Sequence, residues 1–294
     1  MRLDDEKASS NVEDRRGQGG AFGRGGIRIP MGRRGGGGIG IGTIVILGIL
    51  WLVFGINPLD MLSGGMQPQQ QQTQQVPQSP SGTGTAANDE WGQFAAKVLG
   101  TTERTWMRIF QENSRTYEAP RLVLFSGFAQ SACGNAQSAM GPFYCPRDNK
   151  VYIDLTFFQD MRSRLGAGGD FAYAYVIAHE VGHHVQNQLG IADKVMAARM
   201  RSSQEVANQL SVRMELQADC FAGVWARDNK DLLEEGDIEE GLNAASAIGD
   251  DRLQRRSQGY VVPESFTHGT SEQRMTWLKR GIETGSISAC DTFS

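Results

Sequence analysis

Three of the chain's four histidines fall within six residues, His179-Glu180-Val181-Gly182-His183-His184, an H-E-x-x-H pattern. On a helix, residues four apart share a face, so His179 and His183 set two imidazoles where one zinc ion can bridge them. Glu180, beside the first histidine, is placed to take a proton from a water that the metal acidifies. His184, five residues from His179, points away from that shared face and reads as structural. The preceding segment, Phe171 to Ala178, is apolar and helix-compatible. Three polar side chains on such a buried element need a reason to be there.

Hydrolytic zinc usually takes three protein ligands and leaves the fourth position open. The metzincin arrangement is excluded, because Gln186 and Leu189 occupy the places where it needs Gly and His. A later helix supplies another arrangement, Glu215-Leu216-Gln217-Ala218-Asp219. Glu215 is the expected third ligand, and Asp219, one turn on, is expected to accept a ligating histidine's ring N–H. A solvated Glu215 fits poorly with Leu216, Cys220, Phe221 and Val224 around it. The segment 266–274 holds His268 and Arg274, both candidate donors to an oxyanion, and reads equally well as a capping loop with Thr270 or Ser271 at the N-cap. Thirty-one residues separate His183 from Glu215, so a further helical segment is expected between them.

The elements that must position these groups follow from periodicity and turn residues. Asn88 or Asp89 caps a helix to about Ser114. Short strands are expected at 121–128 and 151–157, with Gly134, Gly141, Pro142 and Pro146 marking turns between them, which together predict a small antiparallel sheet. Helices are expected at about 171–189, 191–201, 203–227, 237–249 and 271–283, with Gly190 and Gly285 as stops. The fold class expected is α+β, mostly helical.

The chain has 294 residues and a net charge of −4, which argues against nucleic acid as a partner. Eleven of its 37 glycines lie in residues 1–38, read as a disordered Gly/Arg-rich cytoplasmic tail. Residues 39–56 carry no charge over 18 positions and read as a single transmembrane helix in the inner membrane. Between residues 15 and 34 six arginines precede that run, at 15, 16, 24, 28, 33 and 34, and the next cation after it is Lys97, so the positive-inside rule puts the N-terminus in the cytoplasm. Residues 57–88 read as a Gln/Pro-rich tether, and 89–294 as a domain on the periplasmic side. All four cysteines lie on that side, where disulfides persist. Of three possible pairings, Cys133 with Cys145 and Cys220 with Cys290 is favoured because the first closes a short Gly-rich loop.

With these residues, the chain resembles a bacterial family of neutral zinc metallopeptidases, whose members carry one N-terminal span, a low-complexity tether and an H-E-x-G-H-H-x-Q core. The resemblance covers most of residues 90–290 and rests on Gly141 to Pro146, Lys150 to Phe158, Ala178 to Gln186, Glu215 to Trp225 and the His268 to Arg274 loop. More remotely, the zinc helix, the E-x-x-x-D helix and a downstream His and Arg are similar to membrane-associated gluzincin peptidases. The resemblance implies one zinc on His179, His183 and Glu215, with Glu180 as base. It also implies an edge strand beside the zinc helix that pairs with a protein or peptide substrate; Val151 to Leu155 is the natural candidate and reads equally well as an ordinary central strand. The expected reaction is peptide-bond hydrolysis. Two alternatives are a non-catalytic zinc-stabilised scaffold, which would have no use for Glu180, and a zinc amidase acting on cell-wall material.

Overall fold

The computed structural model describes residues 1–17, 89–137 and 141–294. Strand β1 (Val12–Asp14) comes first, and after residue 89 follow helix α1 (Glu90–Glu112), strands β2 (Arg121–Phe125), β3 (Phe128–Ser131), β4 (Gly134–Gln137), β5 (Phe143–Cys145) and β6 (Lys150–Asp154), and a short helix α2 (Thr156–Asp160). The rest is helical: α3 (Asp170–Gln188), α4 (Ile191–Arg199), α5 (Gln204–Asp228), α6 (Asp237–Ala247), α7 (Asp250–Gln258) and α8 (Ser271–Thr284). Helix α4 is the segment expected between His183 and Glu215. Helix α7 was not expected: no residue of it is buried, so it carries no apolar stripe to read. The expected span at 39–56, the tether at 57–88 and residues 18–38 lie outside the described residues. Among the described residues, no helix is long and apolar enough to cross a membrane.

The sheet corrects one expectation and decides between two others. Its order is β1-β2-β6-β5, with β1, β2 and β6 parallel and only β5 antiparallel to its neighbour, so it is mixed. The excursion between β2 and β6 holds β5 and the antiparallel β3–β4 hairpin, long enough for the chain to return in the same direction. Consequently β6 lies between β2 and β5 as a central strand, one of its two readings, and the edges are β1 and β5. Leu122 to Phe125 and Val151 to Ile153 are buried as continuous runs, as strands covered on both faces must be.

The reading of residues 1–38 as an unstructured tail is corrected for residues 1–17. Val12, Glu13 and Asp14 pair in register with Leu122, Val123 and Leu124. Met1 and Leu3 join Val12 in the main core, and Lys97 Nζ donates to the Leu3 carbonyl at 2.8 Å. Gly100 in α1 is part of the reason: a Cβ there would come within 2.5 Å of the Lys7 carbonyl oxygen, so only glycine lets this segment lie across the helix. Residues 1–17 and 89–294 therefore share one unit. The pairing of β1 with β2 predicts that residues 1–17 and 89–294 face the same compartment. A membrane-impermeant thiol reagent should reach Asp5→Cys and Ser294→Cys, both exposed positions, from the same side. Labelling from opposite sides would mean that β1 does not pair with β2.

Helix α3 is enclosed by α1, α5, α6 and the sheet, and its residues 171–182 are buried throughout. Gly182 lets α5 approach: a Cβ would meet Ala218 O at 3.0 Å and its Cα at 3.1 Å. The α5–α8 crossing is closer still, because Gly223 faces Gly281, whose Cβ would fall 2.0 Å from the Cys220 carbonyl oxygen. Backbone cannot yield there, so Gly281→Ala should cost at least the ~1–3 kcal/mol typical of overpacking, read as a lowered denaturant midpoint. Both favoured disulfides are present: Cys133–Cys145 ties the β3–β4 turn to β5, and Cys220–Cys290 ties α5 to the 3₁₀ turn Ile287–Cys290.

Candidate metal centre

The close α3–α5 crossing brings His179, His183 and Glu215 together, with one ligand atom from each lying within 4.8 Å of the others. His179 Nε2 is 3.2 Å from Glu215 Oε2, and His183 Nε2 is 3.5 Å from Oε1. The two imidazoles meet edge to face with centroids 4.8 Å apart. Each ring's other nitrogen faces an acceptor: His179 Nδ1 donates to Asp219 Oδ1 at 2.8 Å, and His183 Nδ1 to Gln186 Oε1 at 2.9 Å. In the neutral rings, both Nε2 lone pairs and the Glu215 carboxylate thus converge on one place. Three acceptors so arranged call for a cation, and two imidazoles with one carboxylate suit zinc.

Protonation shows the same demand. Burial pulls the His183 imidazole down, but the Glu215 charge and hydrogen bond outweigh it and hold it up at about 9. Burial likewise disfavours an ionised Glu215, yet His183 and His179 keep it well below the usual carboxylate range. Protons and metal compete for these groups, so affinity for metal falls on acidification. Glu180 is buried behind His179, and burial, with the Glu215 charge adding to it, raises its carboxyl above the ordinary value.

Arg274, expected as a candidate oxyanion donor, is engaged by Asp219 in this structure. Its Nε and Nη2 bind Asp219 Oδ2 and Oδ1, each at 2.9 Å, and Nη2 also reaches Tyr175 Oη at 3.2 Å. The guanidinium is buried on the Nδ1 side of His179, away from the Nε2 that faces Glu215. It therefore holds Asp219, which in turn holds His179. Tyr175 Oη donates to the same carboxylate at 2.6 Å. Tyr175, Gln186 and Gln217 were missed, although Tyr175 is one turn before His179 and Gln186 three residues after His183, both on the zinc face.

His268 stands in the α7–α8 loop, where Asp250 accepts the backbone N–H groups of Thr267, His268 and Gly269. Thr270 caps α8 with Gln273 in a capping box, so the loop reading also holds. The His268 side chain is 53% exposed, its Nδ1 lies 3.3 Å from Asp250 Oδ1, and its charge acts on Glu215.

His184 is structural, as expected. The imidazole donates its Nε2–H to the Glu118 carbonyl at 2.6 Å, and its Nδ1 lies 3.0 Å from Tyr144 Oη. Burial lowers it to about 4. The unfolded chain, titrating near 6.5, then binds more protons between those values, so stability falls as pH drops from about 6.5 to 4. The loss should be on the order of 3 kcal/mol, seen as a falling urea midpoint that His184→Gln flattens. A second acidic group, Asp170, Asp237 and Glu240, already meets a cation: the Met1 ammonium is 2.6 Å from Asp170 and 3.2 Å from Asp237.

The fold and this centre agree with the family described as "Putative neutral zinc metallopeptidase", whose model matches residues 1–293; the chain belongs to that family. It is 49% identical over 300 residues to Uncharacterized protein YpfJ of Escherichia coli strain K12, covering 100% of this chain and 99% of that one. It is 44% identical over 191 residues to Uncharacterized protein Rv2575 of Mycobacterium tuberculosis, covering 60% of this chain and 64% of the other. No solved structure matches.

Proposed function

We propose that the chain is a zinc-dependent peptidase that hydrolyses peptide bonds, with His179, His183 and Glu215 holding one zinc ion. The observation that carries this is the convergence of three lone-pair donors, with the buried Glu180 carboxyl next in sequence to one of them. Bound zinc would supply Lewis acidity, acidifying water and polarising a carbonyl. Glu180, its carboxyl raised above the ordinary value by burial, takes the proton from the attacking water and returns it to the leaving amine nitrogen. His268 is the donor to the oxyanion: its Nδ1 is turned to Asp250, so Nε2 is the nitrogen left to face a substrate. An extended substrate pairs with the free edge of β5, which Tyr144 ties to the zinc helix through His184.

Two disulfides fit an oxidising compartment, and the pairing of β1 with β2 supports residues 1–17 sharing it. The test is zinc content of the purified full chain together with cleavage of a mixed peptide library and of peptidoglycan fragments. Near-stoichiometric zinc with chelator-sensitive peptide cleavage is expected. Zinc with cleavage of the cell-wall fragments alone would overturn the peptidase reading in favour of an amidase, and absence of zinc would overturn the centre.

A further inference from the structure

We propose that Gln186 and Gln217 are positioning residues that carry the hold of the Cys220–Cys290 disulfide to the zinc ligand His183. This rests on the zinc reading above, and concerns how one ligand is kept in its binding form. Three hydrogen bonds run in series through the interior. Gln217 Nε2 donates to the Cys290 carbonyl at 3.0 Å, Gln186 Nε2 donates to Gln217 Oε1 at 3.1 Å, and His183 Nδ1 donates to Gln186 Oε1 at 2.9 Å. Both glutamines are buried, Gln186 completely.

The direction of this chain is not arbitrary. A backbone carbonyl only accepts, so Cys290 O obliges Gln217 to present its amide nitrogen there and its oxygen toward Gln186. Gln186 must then point its nitrogen at Gln217. Its second N–H reaches the Met214 carbonyl at 2.7 Å, which demands the same orientation. What remains for His183 is Gln186 Oε1, an acceptor, so Nδ1 carries the hydrogen and Nε2 keeps its lone pair toward the metal. The carbonyl at the far end is itself held in place, because Cys290 is bonded to Cys220, one residue beyond Asp219 on the ligand helix α5. Two polar side chains without this role would be an expensive filling for a site next to Leu216 and Phe221.

The test uses the full chain and follows transfer of zinc to a chromophoric chelator, with the visible spectrum of the cobalt-substituted protein as a second readout. Gln186→Leu should weaken zinc by about ten- to a hundredfold, and Gln217→Leu by about tenfold, the low end for groups that support a ligand. Both should shift the cobalt bands, while far-ultraviolet circular dichroism of the metal-free proteins stays as in wild type. The pair Cys220→Ala/Cys290→Ala should weaken zinc in the same direction, and adding Gln217→Leu to it should cost little more, since the two changes interrupt one chain. Folded Gln217→Leu protein with wild-type zinc release and cobalt spectrum would overturn the proposal, as would fully additive effects with the cysteine pair. If the cysteine pair does not fold, Gln217→Leu alone decides. Zinc-free wild type would instead defeat the underlying metal reading.

Discussion

Glu180→Gln should lower kcat for peptide cleavage by about 10²- to 10⁴-fold while the protein keeps its zinc, the range general bases contribute. That corresponds to about 3–5 kcal/mol of lost transition-state stabilisation. The substitution preserves shape and packing and leaves both histidines and Glu215 untouched, so metal content has no reason to change. Stability should not fall either. Burial already disfavours the ionised Glu180 carboxylate, and a neutral amide removes that cost. His183→Ala makes the contrast, because it removes a ligand and should abolish zinc and turnover together. Metal analysis and single-turnover cleavage on the three proteins check the pair. Undiminished turnover in the Gln variant would remove Glu180 from the chemistry.

Asp219→Ala should destabilise the fold by about 3–5 kcal/mol, because it strands Arg274 as an uncompensated buried charge. In the native structure the Asp219 carboxylate is fully buried and accepts from Arg274 twice, from His179 and from Tyr175. For a domain of this size the loss corresponds to a fall in Tm of roughly 10 °C. Zinc should also weaken about 10- to 100-fold, since His179 loses the acceptor that orients its ring. The two effects separate in the double variant Asp219→Leu/Arg274→Met. Replacing both members of a buried pair by apolar groups is often neutral for stability, so Tm should recover while zinc stays weak. Thermal unfolding of the metal-free proteins and chelator competition measure the two quantities. A change below about 1 kcal/mol in Asp219→Ala would show that Arg274 finds another partner and that the clamp is not what holds the fold.

Much of the centre was legible in the chain. The H-E-x-x-H spacing sets His179 and His183 on one helical face, and Glu215 with Asp219 stand one turn apart among Leu216, Cys220, Phe221 and Val224. The structure brings all four together. Most helices and the interior strands β2 and β6 were legible from periodicity, because each buries a face or both faces against the same core. Strand β1 was not. Asn11 to Arg16 holds one apolar residue, Val12, among polar ones, and its partner β2 starts more than a hundred residues later, so no local pattern marks the pairing. Helix α7 escaped for a related reason, having no buried face to betray it.

The role of Arg274 shows what spacing cannot decide. The residue types in the His268 to Arg274 loop admitted either as a donor to substrate, but the backbone direction of α8 and the Gly223–Gly281 crossing turn Arg274 inward onto Asp219 and leave His268 outside. The chain by itself determined which groups can share a metal, since i to i+4 geometry is a property of one helix. Only the tertiary structure decided the mixed sheet, the inclusion of residues 1–17, and which side of His179 each polar group occupies. Those depend on contacts between residues far apart in sequence and on side-chain directions that packing selects.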